Sequence, residues 1–426
     1  MFEKRKNEYP IEIEKNKSVV ILLFILLLYS VRCFNLNSWN ITYAGWCLYI
    51  IVLYFFTVKL FSYRKIIRQH LSFKSDIDKL MLLPLGTIIP CWLVQSQSPI
   101  DSLKALCPHF IWLIYYLLHI WKPSEKRLLY LLGVMAIIVF FIQIIQQFTY
   151  PIVVCGTFDE NEMLRKGLLE DVEIRNGLYR FRLNTNGIFT MIILFYVWGR
   201  MKTKMMIKYF IVFIILLASI YLSLTRQLIV TSLVTLILFS FCGKGIKTKI
   251  ASFLFLFFLS IVLWIYFEQL FGEFIETTSS STNEDNIRIL SAIYFGTNTI
   301  MNPLTLFLGN GFPKNDTIYG RFLDDLADYW GFFPEDVGFI GYMYFYGLLY
   351  VIAYFRLVYK VLLVYREYVP TYIKMFVVAT GLISIMIYPL AGIMNYLVWS
   401  ILLYICDLHL SLIHIAEPTR LGMISY

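Results

Sequence analysis

The stretch LLYLLGVMAIIVFFIQIIQQF, residues 128–148, holds no charged side chain. As a helix rising about 1.5 Å per residue it is long enough to cross a hydrocarbon core of about 30 Å. It is apolar all round until Gln143, whereas a surface helix of a soluble fold keeps one polar face. Backbone placed in lipid must satisfy its own hydrogen bonds, and no ten-residue alternation of the barrel type is read here. Helices are the reading that remains.

The same texture extends in both directions. Of 426 residues, 59% are AVILMFWYC and only 15% are charged, more apolar surface than a soluble chain can hide. Charged and turn-forming residues cut the apolar sequence into spans at 18–34, 41–61, 80–95, 105–121, 128–148 and 186–199. Six more fall at 207–222, 227–242, 250–271, 337–359, 372–388 and 390–405. The fold class expected is an all-α polytopic membrane protein of about 12 transmembrane helices, forming one transmembrane domain over residues 1–405. The basic start followed by an apolar run has no small-residue cleavage pattern around Tyr29 to Arg32, so a retained first helix is expected.

Every second connection is basic, and 26 of the 37 Lys and Arg fall on one side under this topology. The rule that cytoplasmic loops carry the excess of Lys and Arg then puts both termini in the cytoplasm. The formal net charge of +9 is mostly this topology signal and no argument for nucleic-acid binding. Cys33, Cys47, Cys91, Cys107, Cys242 and Cys406 sit in or at the ends of spans and Cys155 stands alone in a loop; no pair has metal spacing.

Two long connections, 149–185 and 272–336, fall on the extracytoplasmic side, and long loops are usually functional. In the first, six acids from Asp159 to Glu173 precede RNGLYRFRLNTNG, which holds Arg175, Arg180 and Arg182 and no acid. Guanidinium forks beside Tyr179 and Phe181 suit an anionic, lipid-linked ligand; the competing reading is a solvated loop whose arginines pair with the upstream acids or with lipid head groups. Arg226 joins two apolar spans in YLSLTRQLIV. An Arg placed there is a functional candidate by default, with snorkelling from a helix end as the competing reading.

The second loop carries ten acids against Arg288, Lys314 and Arg321. Within it a helix is expected over 287–301, stopped by Pro303, and GNGFP at 309–313 reads as a tight turn. The loop ends at Glu335 and Asp336, where the chain re-enters the membrane. A carboxylate at such a boundary is partly desolvated and a better proton acceptor near neutral pH than an exposed one. Capping of the next helix by Asp336, with Glu335 as dipole partner, is an equally good reading.

The stretch RILSAIYFGTNTIMNPLTLFLGNGFP, the LSLTR turn and DVGFIGYMYFYGLLY together resemble the bacterial O-antigen polymerase and ligase superfamily. The matching positions are Arg288, Pro303, Leu304, Gly309 and Gly311, with Arg226 in the place of the family's turn arginine. The resemblance implies a glycosyltransferase of the bacterial cytoplasmic (inner) membrane that polymerises undecaprenyl-diphosphate-linked repeat units into O-antigen or capsular polysaccharide; the mechanism expected is inverting transfer without cofactor or metal, since the outer loops hold no DxD or HExxH signature. Its partners would be the lipid-linked donor and acceptor, the bilayer, a chain-length regulator and a flippase. Arg226, Arg175, Arg180, Arg182 and Arg288 would bind the diphosphate, and Asp336 or Glu335 would take the acceptor proton. The ligase branch typically has a His where this chain has Asp336 or Glu335. None of the five histidines (His70, His109, His119, His409, His414) lies in either long loop, which argues against a lipid A ligase.

Two other classes compete. A lipid-linked oligosaccharide flippase or other transporter would need ionisable or broken-helix sites near the midplane. Only His109, His119, Pro389 and Asn395 come near that. A transferase using a polyprenyl-monophosphate sugar would want an acidic first outer loop, and 35–40 has no acid. The tail at 410–426 neither continues a span nor makes a convincing amphipathic helix, and it resembles translated sequencing-adapter sequence; an ordinary disordered tail is the alternative.

Overall fold

The computed structural model describes residues 17–30, 51–54, 57, 71–149, 174–175, 177–179, 188–204, 206–240, 287–387, 390 and 392–421. The expected spans at 41–61 and 250–271, and Arg180 and Arg182, lie wholly or largely outside them. The described residues are overwhelmingly helical. By length and composition, two helical runs among them, Glu125–Thr149 and Pro334–Val364, suffice to cross a membrane. The pair Pro99–Ala105 and Cys107–Trp121, bent by 46°, makes three if counted as one span. Ile207–Leu222, Arg226–Ser240 and Thr371–Ile383 are apolar but shorter.

In chain order the helices are α1 (Lys17–Ser30), α2 (Lys74–Gly86), α3 (Ile88–Leu93), α4 (Pro99–Ala105), α5 (Leu113–Trp121) and α6 (Glu125–Thr149). After a two-residue hairpin of β1 (Ile174–Arg175) and β2 (Leu178–Tyr179) come α7 (Ile188–Thr203), α8 (Ile207–Leu222), α9 (Arg226–Ser240), α10 (Ile287–Ile300) and α11 (Pro303–Leu308). Then follow α12 (Ile318–Trp330), α13 (Gly338–Tyr359), α14 (Thr371–Ile383) and α15 (Ile393–Leu421). Helices α6, α7 and α8 pack on one another, and α14 lies against α7 and α9; α13 is gripped by α2, α10 and α11. At the centre α15 is buried from Tyr396 to Cys406 and lies on α5, which is itself buried from Leu113 to His119.

Successive long helices run antiparallel, so the bundle has two ends. The starts of α2, α6 and α14 meet the ends of α5 and α13 at one, here called the basal end: Tyr372 and His409 bind Glu125, and Tyr404 binds the Pro123 carbonyl. Connections 122–127, 200–208 and 356–374, basic in sequence, belong to this end; Lys202 there donates to the carbonyls of Phe239 and Ser240 at 2.7 and 3.0 Å, closing the C-terminus of α9. The other, apical end gathers the end of α3, the starts of α4, α9 and α13, and the ends of α6, α8 and α14.

Three boundaries differ from expectation. Helix α2 starts at Lys74 rather than at residue 80, because Asp76, fully buried, is neutralised by Arg356 Nε at 3.1 Å and Lys360 Nζ at 2.5 Å from α13. The expected span at 105–121 is broken: a 3₁₀ turn, Cys107–Trp112, with Pro108 in its first turn, divides α4 from α5. And α15 runs without interruption from the last expected span to Leu421, so the tail does continue a helix.

The ion triad makes one stability test. Removing Asp76 strands two cations, one of them on Lys360, whose side chain is only 17% exposed; Arg356, at 44%, reaches water. Asp76→Ala is expected to cost about 3 kcal/mol, with Lys360→Met added to it recovering part, and Arg356→Ala alone under about 1 kcal/mol. Thermal unfolding of purified protein checks this; equal shifts for Asp76→Ala and Arg356→Ala would refute it.

Candidate functional site

The GNG turn does not stand alone. Helix α13 is broken at Gly347 (φ 78°, ψ 172°), which strands the carbonyls of Tyr344 and Phe345 from helical partners. The turn supplies those partners: Asn310 N–H donates to Tyr344 O at 2.7 Å and Gly311 N–H to Phe345 O at 3.0 Å. Asn310 Nδ2 also reaches Tyr344 O at 3.2 Å, and Gln95 Nε2 donates to Asn310 Oδ1 at 2.8 Å. The backbones lie in contact. A Cβ on Gly309 would overlap the Phe345 carbonyl and one on Gly347 the Phe307 carbonyl, and both glycines hold a left-handed φ.

Asn302 starts the piece that delivers this turn, accepting from Leu304 N–H at 2.9 Å, with Pro303 at the first helical position. On the far side of the turn, Gln97 is buried and takes up the chain: it donates to Phe312 O and accepts from Lys314 N–H and the Thr317 hydroxyl. Tyr319 closes the knot with a bond to Gly311 O at 3.2 Å. Burial pushes its phenol well above the ordinary range, so it stays a neutral donor.

The candidate residues sit around this knot at the apical end. Glu335 and Asp336 occupy the 3₁₀ turn Pro334–Val337, exposed, directly before α13. Neither acts as cap: the N-cap of α13 is Val337, without a side-chain bond. Among the described residues neither carboxylate has an ion-pair partner. Arg288, exposed, stands in the first turn of α10, which packs on that 3₁₀ turn; neighbouring Ile287 lies over Gly331. Arg226, half-buried, is the first residue of α9. The next residue, Gln227, reaches Met386, while Ser384 and Ile385 press their carbonyls on Gly338. The turn that ends α14 therefore touches both the residue after Arg226 and the glycine two residues after Asp336.

Arg175 lies in β1, paired with Leu178 across Gly177. The hairpin is fastened to the end of α6, where Tyr179 N–H donates to Gln147 Oε1 at 2.9 Å and Gln147 Nε2 to Tyr179 O at 2.7 Å. One turn earlier, Gln143 accepts from Ser219 of α8 at 2.8 Å, and α8 leads within four residues to Arg226. So Arg175, Arg226, Arg288, Glu335 and Asp336 all belong to one end of the bundle. The structure joins Arg288 to the acids through α10, and Arg226 to them through the end of α14.

Sequence reasoning missed a second polar cluster, at the basal end. Asp407, 6% exposed, receives the Tyr115 hydroxyl and Ser72 N–H at 3.1 Å, and lies 3.2 Å from His119 Nε2. Asp78 receives the Tyr116 hydroxyl. His109 is buried and satisfied, between Leu106 O at 3.2 Å and Tyr396 at 3.0 Å. The available signal was a lone acid in an apolar run, YICDLHL. No family model and no curated protein matches the chain.

Proposed function

We propose that this chain is a polytopic membrane glycosyltransferase of the O-antigen polymerase type, with about 12 spans and both termini cytoplasmic. It joins undecaprenyl-diphosphate-linked repeat units at the outer face of the bacterial cytoplasmic membrane. The observation that carries this reading is the gathering of Arg226, Arg288 and the Glu335–Asp336 turn at the end of the bundle opposite the basic connections. Two arginines at helix starts offer a lipid diphosphate both guanidinium charge and the positive end of a helix dipole. They would hold the donor and offset charge developing on the departing diphosphate.

Glu335 or Asp336 would accept the proton of the acceptor hydroxyl as it attacks the anomeric carbon. Both acids are exposed and have no ion-pair partner among the described residues, which suits a proton acceptor. The carrier tails stay in lipid beside the helices.

A transporter of lipid-linked oligosaccharide is the second reading, favoured by the break of α13 at Gly347 and by the buried acids Asp76 and Asp407. One experiment separates the two. A deletion strain is expected to lose the surface glycan ladder while one repeat unit is still displayed. Wild-type chain restores the ladder, and Glu335→Gln/Asp336→Asn does not. Lipid-linked units trapped on the cytoplasmic face of the deletion strain would instead mean transport. A full ladder from the double variant would remove both acids from the chemistry.

A further inference from the structure

A groove of about 460 Å³ runs along one face of α2, from Lys74 and Lys79 past Leu82 and Leu83 to Gly86, where Leu308 of α11 closes it. The α2 residues along it are the pairs 74/75, 78/79 and 82/83 and then 86, repeating every four residues, so they form one stripe of the helix. Its upper part is apolar, and Leu82 is half exposed. Its basal mouth holds two ammonium groups that have no hydrogen-bond or ion-pair partner among the described residues. Asp78 also borders the mouth, with its carboxylate engaged by the Tyr116 hydroxyl, leaving a net charge of +1.

We propose that this groove binds an anionic phospholipid of the leaflet at the basal end, with its phosphate on Lys74 and Lys79 and one acyl chain lying on Leu82, Leu83 and Leu308. Two features select that occupant. From Lys74 to Gly86 the stripe is about 18 Å long, close to the roughly 15 Å that one leaflet contributes to a bilayer core. Charge complementarity does the rest, since basic pockets between helices take acidic lipid head groups. The proposal needs the chain to lie in a membrane and does not depend on glycosyl transfer. At its inner end the chain terminus of the lipid meets Leu308, one residue before the Gly309 turn that completes α13.

The test uses full-length chain in nanodiscs containing diazirine-labelled phosphatidylglycerol or phosphatidylcholine with identical acyl chains. After irradiation, labelling is mapped by mass spectrometry to the peptide bearing residues 74–86. Phosphatidylglycerol is expected to label it about fivefold more, the effect of one net charge at the surface. Lys74→Gln/Lys79→Gln removes or reverses the preference, and Asp78→Asn raises it by about the same factor. Leu82→Trp, which leaves both lysines in place, lowers labelling by both lipids. Equal labelling by the two lipids in the wild type, or an unchanged preference in the lysine variant, overturns the proposal. So does loss of labelling on adding inorganic phosphate, which would reassign the site to a soluble anion.

Discussion

Under the proposed glycosyl transfer, cells whose only copy of the chain carries Arg226→Ala should make no long-chain surface glycan while the protein accumulates at wild-type level. The guanidinium sits at the first position of α9, where it adds its charge to the positive end of a helix dipole. Removing a preorganised charge of this kind from a departing diphosphate costs about 10²–10³ in rate, enough to erase a ladder. Arg226→Lys keeps the charge but not the planar fork, and is expected to restore short chains only. The readout is the glycan ladder on a gel beside an immunoblot of membranes. A full-length ladder from Arg226→Ala would take this residue out of donor binding.

Gly347→Ala should be among the most damaging single methyl additions at the described glycines. The added carbon falls on the Phe307 carbonyl and 2.6 Å from Gly309 N, both backbone atoms that cannot swing aside. The alanine must also hold φ near 78°. Strain and overpacking together amount to about 3–5 kcal/mol, and the protein is expected to be lost from membranes. Gly381→Ala is the control: it lies inside α14, and an added Cβ meets nothing within 4 Å. A helix-interior alanine there is neutral or stabilising by up to about 1 kcal/mol. Thermal unfolding in detergent compares the two, and equal melting points would mean that the backbones do not lie in contact as described.

Helical class, alternation of basic connections and the helix at 287–300 were readable because each depends on local sequence: long apolar runs, clustered Lys and Arg, and the stop at Pro303. What escaped depends on partners far along the chain. Asp76 looked like part of a polar connection because its cations lie at 356 and 360. GNGFP looked like a tight turn because the carbonyls it satisfies belong to residues 344 and 345. The acids Glu335 and Asp336 were placed correctly at a helix entrance, but their role as caps was not, since Val337 takes that position. Arg226 and Arg288 share one end through the α14 turn and the α10 contact, which no spacing rule reveals.

The break at Gly347 sets an order of events during biogenesis. Residues 287–312 leave the ribosome before 338–359, so the amide donors at Asn310 and Gly311 exist before the acceptors that need them. Until the two meet, α13 enters the bilayer with the Tyr344 and Phe345 carbonyls unsatisfied, at a cost of several kcal/mol each in hydrocarbon. A nascent chain arrested between those points would hold a helix with two unpaired carbonyls, so docking of one short loop is what completes it.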